Sequence, residues 1–223
     1  MILQRHSLIA VTVTAWQELM HLRADLAEIP LVAEWSLHGR PVIVRRRTPC
    51  DAEGVLPVAL PLPPSWGKRR LAFTIASFVG VSQRPAVALT DAGQNAPESW
   101  HPTIQDLLKM GAKLGVAPHV YGALLWQHLT GLSYLSMSSD VDLLWRPPDQ
   151  RTADLLAEEL FQLDAYAPVR IDGELEFPDG AGVNWREWHA AQRGNMGEVL
   201  VKTMDSVEIR PTASLFDTFA RCS

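Results

Sequence analysis

At 223 residues the chain can hold one large domain or two small ones, each with its own core. A hydrophobic fraction of 47% with 20% charged residues is that of a globular protein and excludes a disordered chain. The net charge of −5 argues against a nucleic-acid partner held through phosphate contacts, and no apolar run reaches the roughly 20 residues that a membrane span needs. Leu8 to Val13 is too short and too interrupted by Thr for a signal peptide, so the expected setting is cytoplasmic, with no membrane partner. Cys50 and Cys222 stand far apart and form neither a CxxC pair nor a disulfide framework, which reads as two reduced thiols.

Residues 1 to about 90 read as β-rich. One early helix is expected around Trp16 to Glu28, stopped by Pro30. Pro41 to Arg47, Val55 to Leu62 and Leu71 to Val81 have the β-branched or alternating character of strands, separated by Pro, Gly and Asp turns. Two basic runs, Arg45 to Arg47 and Lys68 to Arg70, read either as a solvated edge or as a landing site for an acidic partner. Asp91 to Pro102 is polar and rich in breakers, which places a domain boundary there.

Thr103 is the expected N-cap of a helix over Ile104 to Leu114, with Gly115 just past its end. A short amphipathic segment from Leu124 to Leu129 closes at Gly131, and Asp140 to Trp145 reads as a mostly buried strand. Asp149 caps a helix to about Leu163, whose Ala153, Leu156, Leu160 and Leu163 form one apolar stripe over the sheet. Beyond it, two Asp-Gly pairs, 172–173 and 179–180, predict a meander of hairpins through Val169–Ile171, Glu174–Phe177 and Gly182–Trp188. A last hairpin, Val199–Thr203 with Val207–Arg210, precedes a short helix begun by Pro211 and Thr212.

The chemistry concentrates between Val120 and Trp145. Asp140 and Asp142, two apart on a strand, share a face about 6.6 Å apart. Two carboxylates aimed at one point repel unless a cation sits between them, and oxygen-only ligands favour Mg²⁺, with Mn²⁺ as the alternative. Gly122 at a helix start lets phosphate oxygens approach the backbone amides, where the helix dipole favours an anion. The structural alternative for Asp140 is a turn or cap residue after Ser138-Ser139, and for Asp172 the Asp-Gly hairpin turn itself. Lys202, on an otherwise apolar strand, reads equally as a side chain that snorkels to solvent and as a point charge for a phosphate. Trp126, Trp145, Trp185 and Trp188 sit in apolar runs and are read as core rather than as an adenine platform.

A phosphate turn, a helix and a strand bearing Asp-x-Asp resemble the nucleotidyltransferase superfamily. Tyr121-Gly122, Trp126-Gln127, Leu129-Thr130-Gly131, Ser139 to Trp145, Asp172-Gly173-Glu174 and Trp185-Arg186-Glu187-Trp188 together resemble the family of phosphoribosyl-dephospho-CoA transferases of malonate decarboxylase. The resemblance implies an α+β fold. A nucleotidyltransferase-like C-terminal domain over residues 99–223, a mixed sheet covered by helices, would follow a small β-rich N-terminal domain over residues 1–92.

The resemblance also implies a reaction. The phosphoribosyl-dephospho-CoA group of 2'-(5''-triphosphoribosyl)-3'-dephospho-CoA would pass to a serine of the apo acyl carrier protein subunit, with release of pyrophosphate. Asp140 and Asp142 would hold Mg²⁺, a third carboxylate would come from Asp172 or Glu174, and Gly122, Ala123, Ser139 and Lys202 would contact the substrate. The superfamily carries Gly-Ser at the phosphate turn, where this chain has Gly122-Ala123, so one hydroxyl donor, worth about 1.5–3 kcal/mol to a charged group, is missing. The competing expectations are a nucleotidyltransferase that uses a nucleoside triphosphate on another acceptor, and a non-catalytic module that binds a carrier protein.

Overall fold

The computed structural model describes residues 3–76, 78–194 and 197–217, so Cys222 lies outside the described residues. The chain forms two compact units, Met1–Ala86 with Leu129–Ser133, and Val87–His128 with Tyr134–Ser223. Among the described residues no helix is long and apolar enough to cross a membrane.

In the first unit, β1 (Leu8–Val11) leads into three short helices, α1 (Val13–Leu22), α2 (Ala24–Ala27) and α3 (Pro30–Ala33). Four strands follow: β2 (Val42–Val44), β3 (Leu56–Pro61), β4 (Arg70–Ile75) and β5 (Val81–Arg84). They make an antiparallel sheet in the order β4-β3-β2-β1-β5. Pro30 does not end the helical stretch as expected. It opens α3 at a first-turn position, where its missing N–H costs nothing. Trp16, wholly buried on α1, donates its indole N–H to the Val32 carbonyl at 2.9 Å and so ties α1 to α3. Of the basic runs, Arg45 is committed within its own unit: its guanidinium grips Asp51 through two hydrogen bonds of 2.7 and 2.6 Å.

The second unit begins with α4 (Leu89–Ala92) and α5 (His101–Leu114). The polar stretch 91–102, expected as a boundary, is therefore helical, with 3-10 turns at Gly93–Asn95 and Glu98–Trp100. Ala92, Ala96 and Trp100 are buried there, so its breakers punctuate packed turns rather than a linker. Helix α5 starts two residues before the expected cap, with Pro102 in its first turn and Thr103 buried. The remaining elements are β6 (His119–Val120), α6 (Gly122–Thr130), β7 (Val141–Trp145), α7 (Gln150–Asp164) and β8 (Ile171–Glu176). After them come β9 (Gly182–Asn184), α8 (Trp185–Arg193), β10 (Glu198–Lys202) and β11 (Val207–Pro211).

The six strands form a mixed sheet in the order β11-β10-β9-β8-β7-β6, in which only β7 and β8 run parallel. Parallel neighbours need a crossover, and α7 supplies it, capped by Asp149, whose carboxylate accepts the Thr152 N–H at 2.7 Å. Val141, Leu143, Trp145, Ile171 and Leu175 are fully buried on one face of the sheet, beneath α5, α7 and α8. The other face carries the chemistry.

Two expected hairpin elements are absent. Asp172-Gly173 is no turn but the interior of β8, and 185–193 is helix α8 rather than a strand. The reason lies in α8's own pattern: Asn184 caps it, and Trp185, Trp188 and Ala191 recur every three residues on its buried face. The second pair, Asp179-Gly180, does make the expected tight turn, with Gly180 at φ +80° and Asp179 accepting the Ala181 N–H at 2.9 Å.

Candidate active site

Strands β7 and β8 run side by side with Asp142 opposite Asp172 and Leu144 opposite Glu174. Partners in register share a face, so Asp142 and Asp172 stand next to each other on the open side of the sheet. The strands can approach this closely because of Gly173. At φ +153°, a conformation that L side chains rarely adopt, a β-carbon there would overlap the Leu143 carbonyl. The Asp-Gly pair thus marks a strand that must lie tight against its neighbour, and it puts a carboxylate beside the Asp-x-Asp strand.

Asp142 is the most perturbed group of the site. Burial pushes its carboxyl up to about 7, and the negative charges of Asp172 and Asp140 push in the same direction, against the Ala123 N–H that donates to it and the positive charge of Arg170. Strand β6 delivers Gly122 onto this carboxylate: the Tyr121 N–H donates to the Asp142 carbonyl at 3.1 Å, and the chain turns at Gly122 with φ +66°. A side chain at Gly122 would overlap the Asp142 carboxylate itself, so glycine is required by position as well as by dihedral. The Ala123 amide, a phosphate donor in the sequence reading, is directed at Asp142. Asp140, one residue before the strand, lies 3.5 Å from the Arg170 guanidinium.

Further along the same face of β8 come two more acids, each with a cation of its own. Glu174 is buried and pairs with the Lys202 ammonium at 3.1 Å, and Glu176 is buried and pairs with Arg146 at 2.7 Å. Lys202, in register with Gly182, is therefore engaged across the sheet to a carboxylate. Among the described residues no ion pair is made by Asp142 or Asp172, so their repulsion is relieved by a proton on Asp142 or by a cation bound from solution. Among the described residues, no three His, Cys, Asp or Glu side chains are grouped closely enough to hold a metal ion between them. What stands here is a pair of adjacent carboxylates, Asp142 and Asp172, with the charge of Asp140 also acting on Asp142.

Ser139 is held in the turn before β7: its hydroxyl accepts the Ser136 N–H at 2.9 Å, while its own N–H donates to the Ser136 carbonyl at 3.1 Å. Trp126, Trp145, Trp185 and Trp188 are buried in the core. One participant went unread in the sequence, Asn184, whose amide donates to Asp172 at 2.9 Å. Its signal was present, since Asn184 with Glu187 three residues on is the pattern of a helix N-terminus.

Two family models match the chain, the phosphoribosyl-dephospho-CoA transferase MdcG N-terminal domain over residues 4–78 and the phosphoribosyl-dephospho-CoA transferase MdcG C-terminal domain over residues 88–213. The chain is 39% identical over 204 residues to a phosphoribosyl-dephospho-CoA transferase of Bradyrhizobium diazoefficiens, covering 91% of this chain and 88% of that one. It is 38% identical over 190 residues to one of Xanthomonas axonopodis pv. citri, covering 84% and 86%, and 35% identical over 162 residues to one of Pseudomonas putida, covering 70% and 74%. No solved structure matches it.

Proposed function

The chain belongs to the phosphoribosyl-dephospho-CoA transferase family, an enzyme family of the nucleotidyltransferase superfamily that attaches the CoA-derived prosthetic group, and from that premise we propose that Asp140, Asp142 and Asp172 form its transfer centre. The observation that carries this reading is the adjacency of Asp142 and Asp172 across the parallel pair β7 and β8, with Gly122 seated against the first of them. The donor is 2'-(5''-triphosphoribosyl)-3'-dephospho-CoA and the acceptor a serine of the apo acyl carrier protein subunit of malonate decarboxylase, met in the cytoplasm.

The serine oxygen attacks the phosphorus nearest the ribose, the bond from that phosphorus to the departing pyrophosphate breaks, and a phosphodiester to the serine remains. Asp140, Asp142 and Asp172 would hold Mg²⁺ or Mn²⁺, which supplies charge stabilisation to the phosphoryl oxygens when bound. A carboxylate of the cluster takes the serine proton. Gly122 seats the Asp142 carboxylate at the N-terminus of α6, whose dipole would favour the phosphates of a donor held beside it. In this reading Asp172 is the third carboxylate, because Glu174 already balances Lys202.

Mass spectrometry of apo carrier protein incubated with this enzyme, Mg²⁺ and the triphosphoribosyl donor tests the proposal. The expected result is a mass gain of one phosphoribosyl-dephospho-CoA group, absent with ATP as donor and absent from the Asp142→Asn and Asp172→Asn enzymes. A normal gain with Asp172→Asn would remove Asp172 from the centre, and a nucleotidyl adduct from ATP would favour the ordinary nucleotidyltransferase reading.

A further inference from the structure

Asn184 ends β9 opposite Glu174, on the same face as the carboxylates. Its side chain is bound at both ends. The Oδ1 atom accepts the Arg186 N–H at 2.9 Å and caps α8, while Nδ2 donates to Asp172 Oδ1 at 2.9 Å. The cap needs an acceptor, so the amide can stand only one way round, with its NH₂ group toward Asp172. That same Asp172 oxygen also takes the N–H of Gly173 at 2.8 Å. Two donors on one oxygen stop the carboxylate from turning and leave the other oxygen for a ligand.

The anchor behind Asn184 is firm. Helix α8 is tied to the crossover helix α7 by the Trp188 indole, which donates to Asp154 at 2.9 Å, and by His189, 2.9 Å from Glu158. We propose that Asn184 is a positioning residue of the transfer centre, which fixes the Asp172 carboxylate for a divalent cation by spanning the helix cap and the acid. This rests on the reading of Asp142 and Asp172 as cation ligands. Partners that orient a ligating carboxylate are typically worth about 10- to 100-fold in metal affinity.

Asn184→Ser separates the two duties, since serine caps a helix as well as asparagine but has no amide to reach Asp172. Mn²⁺ binding to the metal-free enzyme, followed by electron paramagnetic resonance, is expected to weaken by about 10-fold. The Mg²⁺ midpoint for transfer should shift by the same factor, with kcat at saturating Mg²⁺ within about twofold of wild type and Tm in EDTA lowered by no more than a few degrees. Asn184→Thr, a second cap-competent side chain without an amide, should behave alike and covers a failure of the serine variant to fold. If wild type binds Mn²⁺ and a folded variant binds it equally well, the role of Asn184 is overturned while the carboxylate reading stands. If wild type binds no Mn²⁺, both fall together.

Discussion

Asp142 concentrates the tension of the site in one side chain. Its folded carboxyl titrates at about 7, above the ordinary 3.8, because burial and the neighbouring Asp172 and Asp140 all disfavour the anion. A carboxyl raised in the folded state weighs against stability. The penalty is absent below about pH 4, grows as pH rises toward 7 and is complete above it. At about 1.4 kcal/mol per pH unit the full penalty is at most about 4 kcal/mol. Asp142→Asn should therefore raise Tm in EDTA at pH 8 but not at pH 4, and abolish transfer. Added Mg²⁺ should stabilise the wild type and leave the variant unmoved, because a ligand stabilises only the state that binds it. Thermal denaturation at the two pH values, with and without Mg²⁺, decides it; a variant less stable than wild type at pH 8 would mean that Asp142 is not strained.

At the scale of elements, β8 is the member on which the site depends. It carries Asp172, Glu174 and Glu176 toward the open face and Ile171 and Leu175 into the core, and it can lie this tight against β7 because Gly173 has no side chain. Gly173→Ala forces a β-carbon against the Leu143 carbonyl at a dihedral that alanine avoids, so the two strands must part. The expected cost exceeds the roughly 1 kcal/mol of an ordinary glycine replacement. Activity should fall further than stability, since separating β7 from β8 separates Asp142 from Asp172. Urea unfolding alongside a transfer assay would show whether activity and stability part company in this way; equal losses in both would make Gly173 merely structural.

For the molecule as a whole, the question is how a folded carrier brings its serine to the carboxylates. Arg45 is committed to Asp51, whose carboxyl is held well below the usual carboxylate range by the Arg45 hydrogen bonds and by Thr48. Lys68 and Arg69 are exposed, beside the left-handed turn at Gly67 that leads into β4. Exposed charges on a docking surface act mainly on association and its salt dependence. Lys68→Glu with Arg69→Glu is expected to raise the apparent KM for the carrier several-fold and to flatten its dependence on ionic strength, with the KM for the triphosphoribosyl donor unchanged. Steady-state kinetics at low and high salt test it, and an unchanged carrier KM would move the docking surface elsewhere.

Sequence by itself determined the elements whose signals are local. Asp149 with a stripe of apolar residues behind it specifies α7, Gly131 ends α6, and apolar neighbours around Asp142 make β7 a strand, because capping, helix periodicity and strand burial are properties of a few consecutive residues. The motif residues also carried the family resemblance to which the chain proved to belong. Where local signals competed, sequence misled. Asp172-Gly173 satisfies the chemistry of a hairpin turn as well as that of a strand pressed against its neighbour, and only the partner strand β7 decides between them. The same holds for Lys202 and Glu174, which are 28 residues apart and find each other only through β9 and β10. Asn184 shows the division within one side chain: its cap is a local contact that the strand expected over Gly182–Trp188 hid, whereas its hydrogen bond to Asp172 exists because β8 and β9 pair. A cap is a contact between neighbours in sequence; a carboxylate cluster is a contact between strands, and only the folded sheet sets its register.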